Sequence, residues 1–413
     1  MKTIFVITLL LLTSGVFNAF SQDMMKVSGK VVDSETSTPL SYAHISLKGH
    51  SIGTVSNVEG EFEFHFDSHH IKDTLEIGYI GYENWETPIF SLDQKDLLSI
   101  KLMPATTVLS EVIVFSDKLT GKEIVHTALA KLGDNYPHET YLINGYFREI
   151  EKENGKYVLL SEAALSVYDK GFDKHKGWVR EYINIDEVRK SLNYRTMSSR
   201  NDITFSLLDL FENNDIRYQR NIVDIDKTTY SLDSVTQYNN RPVFVISTSR
   251  WIDRGKLYID METFGIIKAT MDRKVREEGV SRYYRSWNND SITTGRVQFS
   301  YSVEFEEYQG KYYLSLLSEW EQNEIFDPNS GKVKTVHTEQ LEFFKNNLKT
   351  VKVKIPKEIK RLSPKRRLRY GPYNPDFWEN YNVIKATPLD KKLIEDLERD
   401  IPLDQQYESS SKN

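Results

Sequence analysis

The chain has 413 residues, 54 of them Lys or Arg and 60 Asp or Glu, for a net charge of −6, with 24 Tyr, 20 Phe and no cysteine. Nothing in a mildly acidic balance suggests a global nucleic-acid binder, and the missing cysteines exclude disulfides, thiol nucleophiles and thiolate metal sites. The length suffices for two domains with their own cores, and the aromatic content points to β structure.

In the first 21 residues Lys2 precedes an apolar run at 4–12, and Ala19 and Ser21 stand where a cleaving peptidase needs small side chains. This is the layout of a secretory signal, with an apolar run too short to span a bilayer. Cleavage before Gln22 is expected, and the chain is read as exported, to the periplasm or the periplasmic face of the outer membrane.

Residues 24–104 read as short strands between turns: KVSGKVVD, YAHISLKG, GEFEFHF, TLEIGYI and LLSIKLM. In GEFEFHF the alternation is strict, so Phe62, Phe64 and Phe66 share one face and are expected in a core, while Glu61, Glu63 and His65 take the other. Gly53, Gly60 and Gly81 fall between strands. The stretch VSGKVVDSETSTPLSYAHISLKGHSIGTVSNVEGEFEFHF with LEIGYIGYE resembles the carboxypeptidase regulatory-like domain, over residues 27–114. That family also supplies the N-terminal extension of many TonB-dependent receptors, and LSEVIVF at 109–115 resembles the lead into a receptor plug. The resemblance implies a seven-stranded Ig/transthyretin-like β-sandwich used for folding, spacing or docking, without catalysis.

After a linker at 105–119, residues 120–350 are expected to form an antiparallel β domain with an N-terminal helix. Thr120 and Glu123 make a capping box, Gly133 marks the end, and Ile124, Val125, Ala128, Leu129 and Leu132 form the apolar stripe. His126 lies off that stripe and is expected to face solvent. Long strand patterns follow, turned at Asn154–Gly155 and Gln309–Gly310, giving a mainly β chain whose second part is a helix-decorated, curved antiparallel sheet or half-barrel. The hairpin GKLYIDMETFGIIKATMDRKV resembles one in the outer-membrane lipoprotein carrier fold, where an apolar concave face holds acyl chains. That resemblance implies a lipid or lipoprotein ligand. Alternation puts Leu257 and Ile259 on one face of the first strand and apolar residues, Ile267 among them, on both faces of the second, as expected where one face lines a groove or where protein covers both.

No zinc carboxypeptidase pattern, HExxH, GxSxG, P-loop or GxGxxG occurs, so neither cofactor nor resident metal is expected and catalysis is not the first reading. His65, His69 and His70 form a histidine cluster, read as a polar loop in preference to a metal site. Asp327, Asn329 and Gly331 are read as a hairpin turn in preference to a calcium loop. A two-residue turn at Asn154–Gly155 makes Glu149 and Glu162 diagonal neighbours on one face, where burial would couple their titration. The competing expectation for that pair is neutralisation by an arginine such as Arg148, or exposure to water.

Residues 351–413 form a basic and aromatic tail. Lys365, Arg366, Arg367 and Arg369 belong to a run expected to be solvated, or else to touch anionic headgroups at the outer membrane. Phe377, Trp378 and Tyr381 are expected to anchor the tail, a helix begins near Pro388, and the last six residues are expected to be disordered. The whole is read as a non-catalytic envelope binding or assembly protein, the sandwich docking and the larger domain holding a ligand or partner. An enzyme acting on an envelope polymer through paired carboxylates and a structural spacer are the rivals.

Overall fold

The computed structural model describes residues 24–93, 97–105, 119–172, 181–196, 203–214, 226–274, 282–287, 290–327, 329–384 and 390–410. The expected signal, Pro388 and most of the expected linker lie outside them.

Among the described residues the N-terminal part has seven strands: β1 (Met24–Asp33), β2 (His44–Leu47), β3 (Gly53–Val55), β4 (Glu61–Asp67), β5 (Thr74–Gly78), β6 (Trp85–Pro88) and β7 (Leu98–Leu102). They form two sheets, β4-β1-β7 and β3-β2-β5-β6, with β1 and β7 parallel. The alternation in β4 sends Phe62, Phe64 and Phe66 into a core with Val31, Ile45, Leu75 and Ile100. This is the expected sandwich.

The second part begins with α1 (Gly121–Ala130), where the capping box of Thr120 and Glu123 is made in full. The helix does not stop at Gly133: a further turn, α2 (Leu132–Asn135), runs through it. Then come β8 (Tyr141–Glu153), β9 (Lys156–Asp169), β10 (Tyr182–Lys190), α3 (Ile203–Glu212), β11 (Thr229–Tyr238), β12 (Arg241–Arg250), β13 (Asp253–Asp260), β14 (Ile266–Lys274), β15 (Arg282–Trp287), β16 (Asp290–Tyr308), β17 (Lys311–Phe326) and β18 (Val333–Lys349). Asn154 and Gly155 (φ 52° and 79°), and Gln309 and Gly310 (φ 52° and 76°), turn two hairpins in the left-handed region that such two-residue loops require.

These strands build one open, curved antiparallel sheet, β10-β9-β8-β18-β17-β16-β14-β13-β12-β11, with β15 beside β16. The last strand, β18, pairs with the first, β8. The inner face is apolar and is covered by the helices: Ile124, Val125 and Ala128 of α1, Leu132 of α2, and Leu207, Leu210 and Phe211 of α3 meet Phe147, Val243, Leu257, Leu317 and Phe343 of the sheet. His126 is exposed, as expected.

The outer face carries the sandwich and the tail. Val55 packs with Tyr146, Leu316, Phe344, Trp378 and Ile384, so the aromatic anchor expected from Trp378 is present. The helices α4 (Pro375–Trp378), α5 (Asp390–Leu397) and α6 (Leu403–Ser410) belong to the tail. Leu393 and Leu397 sit on Tyr157 and Leu160. Glu408, Ser409 and Ser410 finish α6, because Gln406 and Tyr407 are buried and carry the helix on, contrary to the expected disorder there. Lys365, Arg366, Arg367 and Arg369 are exposed.

Candidate functional site

The bulge between Glu151 and Lys152 controls where the acids fall. A simple two-residue hairpin would pair Glu149 with Leu160. The extra residue moves the register by one, so Glu149 faces Ser161 and Arg148 faces Glu162. Because neighbouring side chains alternate, Glu149 points to the inner face and Glu162 to the outer face. The expected diagonal pair does not form.

Glu162 lies in a charged relay on the outer face. Arg189 donates to it at 2.7 and 3.0 Å and Tyr146 donates to it as well. Arg148 donates instead to Glu342, at 2.8 Å through Nε. Burial would raise the Glu162 carboxyl, but the Arg189 charge and its hydrogen bonds hold it below the usual range. Trp378 covers Arg189, with the guanidinium 4.5 Å from the ring centre. This matches the competing expectation of neutralisation by arginine, although the partner is Arg189.

On the inner face Glu149 joins Glu151 and, across β8 and β18, Glu339. Ser206 of α3 donates to Glu149 at 2.9 Å, Arg195 pairs with Glu151, and His337 contacts Glu151 at 2.8 Å. Burial, then the Glu149 charge, pushes Glu151 well up, and burial with the Glu151 and Glu149 charges does the same to Glu339. Nearby, burial pushes Glu319 up to about 8 against the hydrogen bond from Asn213. These acids gather beneath α3. In the sequence His337 and Glu339 are seen only to share a strand face. Their meeting with Glu151 depends on strand pairing across 186 residues of chain.

Leu257 and Ile259 have no exposed surface and Ile267 has 2%. All three lie in the packed inner cluster. The register steps between Tyr258 and Ile259, bringing both Ile266 and Ile267 into it.

An open groove of about 700 Å³ lies on the outer face instead. Its floor follows from register. One row across the sheet reads Ser231, Ser247, Lys256, Thr270, Ser302 and Ser318, and the next reads Thr229, Ser249, Arg254, Asp272, Ser300, Trp320 and Gln340. Small hydroxyl side chains keep the floor low, while Trp320 and Tyr42 of the sandwich stand beside it. Asp272 Oδ1 and Ser302 Oγ are buried atoms with no hydrogen-bond partner among the described residues, although both residues line the groove. Such atoms cost free energy until a ligand or water meets them. The sequence signal is serine or threonine at alternate positions, as in Ser247 and Ser249 or Ser300 and Ser302, which reads equally as a solvated strand.

Comparison with known proteins places a CarboxypepD_reg-like domain at residues 27–114. No curated protein matches the chain. Among solved structures, a domain described as an outer membrane lipoprotein-sorting protein, from Vibrio parahaemolyticus, is similar at 11% identity and TM-score 0.24, over 57% of this chain and 94% of that one. A DUF1329 family protein from Desulfovibrio piger is similar at 12% identity and TM-score 0.26, over 57% of this chain and 96% of that one. Lipovitellin aligns at 9% identity and TM-score 0.26, over 62% of this chain and 30% of that one.

Proposed function

We propose that the protein is an exported, non-catalytic binding protein of the cell envelope, and that its ligand is polyhydroxylated, a saccharide, seated in the outer-face groove. The observation that carries this reading is a groove floored by serine and threonine hydroxyls, holding Asp272 and flanked by Trp320. A sugar supplies the hydroxyl donors that a carboxylate accepts and a C–H face that packs on an indole ring. The sandwich contributes Tyr42 to the groove, so here docking means completing the site. The early signal-like segment supports export, and the exposed Lys365, Arg366, Arg367 and Arg369 support peripheral contact with an anionic surface.

Purified protein lacking residues 1–21, titrated calorimetrically with peptidoglycan and lipopolysaccharide-core oligosaccharides, should bind one of them saturably. Trp320→Ala and Asp272→Asn should abolish that binding while the melting curve stays cooperative. Folded wild-type protein that binds no oligosaccharide would overturn the reading. The finer expectation of a lipid or lipoprotein ligand requires the inner cluster around Leu257, Ile259 and Ile267 to open, and a fatty-acid probe tests it below.

A further inference from the structure

A second cluster of chemistry-bearing side chains lies on the sandwich, away from the groove. His50 follows β2, in a turn closed by its own N–H to the Leu47 carbonyl at 2.9 Å. His70 and Asp73 belong to the short 3-10 turn Ser68–Lys72 and its C-terminal cap. That turn is fixed at both ends: Asp67 accepts from the His69 N–H, and the Asp73 N–H donates to the His70 carbonyl. The Asp73 carbonyl in turn accepts from the Ile89 N–H at 3.0 Å. Two separate segments are thus held so that three ligand-type side chains converge.

Their geometry is specific. Asp73 Oδ2 is 3.1 Å from His50 Nε2 and 2.5 Å from His70 Nδ1. The two imidazole rings stand 4.8 Å apart at 79°, so they do not stack on each other. His70 is nearly buried at its side chain (7% exposed), whereas His50 is 42% exposed and leaves the cluster open to solvent. At metal–ligand distances of about 2.0–2.1 Å, nitrogen and oxygen ligands of a tetrahedral zinc lie about 3.3 Å apart. The His50 and Asp73 atoms are already near that separation. The His69 ring lies tilted against His70, with centres 3.8 Å apart, and turns its Nδ1 to Asp67, which leaves it outside the ligand set.

We infer that His50, His70 and Asp73 form a binding site for a divalent transition-metal ion, zinc first, with solvent completing its coordination. Two imidazoles and one carboxylate are a donor set suited to zinc and to other borderline ions, and poorly suited to calcium or magnesium, which prefer an all-oxygen shell. Protons compete with the ion for imidazole nitrogens, so affinity falls as the pH is lowered. A bound ion would tie the turn after β2 to the 3-10 turn and raise the stability of the sandwich with ion concentration.

The test is calorimetry of metal-stripped protein lacking residues 1–21, titrated with zinc chloride and, separately, with magnesium chloride. One zinc per chain is expected, with an accompanying rise in melting temperature, and no magnesium heat at the same concentration. His50→Ala, at an exposed position that leaves the core untouched, should weaken zinc binding at least about ten-fold; Asp73→Asn should do the same, and His69→Ala should not. Wild-type protein that melts cooperatively yet binds no zinc, or binding unchanged in His50→Ala, overturns the inference.

Discussion

Tyr42 of the sandwich donates its phenolic proton to Glu342 of β18 at 2.5 Å, and Glu342 also binds Arg148 at 2.7 Å. The two parts of the chain therefore share one buried charge pair. His44 adds a second crossing, 3.1 Å from Glu304, which also holds Lys268 at 2.6 Å. Asn382 of the tail closes the assembly by bonding the His65 backbone in both directions, at 2.7 and 3.0 Å.

This arrangement predicts one cooperative unfolding transition for both parts. Tyr42→Phe should cost about 1–2 kcal/mol. Glu342→Ala should cost about 3–5 kcal/mol, because it leaves Arg148 buried without its partner. Phe64→Asp, which puts a charge among the packed strands of the sandwich, should lower the melting of the long sheet as well. Urea melts followed by far-ultraviolet circular dichroism and tryptophan emission check this, and separate transitions for the two parts would contradict it.

Glu162→Gln should destabilise the fold by about 3 kcal/mol, since Arg189 would lose the carboxylate it binds at two points. Oligosaccharide binding in the groove should be unchanged. A variant as stable as wild type would show that the Arg189 and Tyr146 contacts are not the reason for this acid.

Local pattern revealed the sandwich core, the capped helix and the two hairpin turns, because each depends on residues within a few positions: Phe62 to Phe66, Thr120 with Glu123, Asn154 with Gly155. The acid positions were not legible. A single bulge at Glu151 and Lys152 inverts the faces of everything beyond it, and a bulge leaves no mark in hydrophobic alternation when both faces are covered. Nor could sequence bring His50 to His70 and Asp73, or β18 to β8, because those meetings are made by tertiary packing. The groove was hidden for another reason: its serines and threonines are what an ordinary wet strand also shows.

Stability should depend on pH in both directions. The Glu304 carboxyl, which burial would raise, is held at about 2 by Lys268 and His44. A depressed carboxylate stabilises the fold above its unfolded value near 4.5, and that contribution disappears as the pH falls toward 2. Glu319, raised to about 8 by burial, acts oppositely. Its unfolded form loses its proton near 4.5 while the folded form keeps it, so stability is full below 4.5 and declines as the pH rises to 8. Glu151 and Glu339, also raised, add to that decline. Each tenfold change in proton affinity is worth about 1.4 kcal/mol. Melting temperature should therefore peak at about pH 5, and Glu319→Gln should flatten the alkaline side of the profile while leaving the acid side intact. A profile on the alkaline side that this variant leaves unchanged would contradict the assignment.

Ile259 separates the two possible ligand faces. It sits opposite Phe244 on β12 and Ile266 on β14, with no exposed surface, in the cluster that α1 and α3 cover. Truncating it to alanine opens a cavity in a packed site and should cost about 2–4 kcal/mol. If the ligand sits in the outer groove, oligosaccharide affinity should survive that loss at a temperature where the variant remains folded, and delipidated wild-type protein should take up no fluorescent fatty acid. If instead the inner face opens as an acyl groove, the wild type should take up the probe saturably, and Ile259→Asp, where it folds, should abolish uptake. Saturable probe uptake that oligosaccharides do not compete for would transfer the ligand site to the inner face, since the two faces are separated by the full thickness of the sheet.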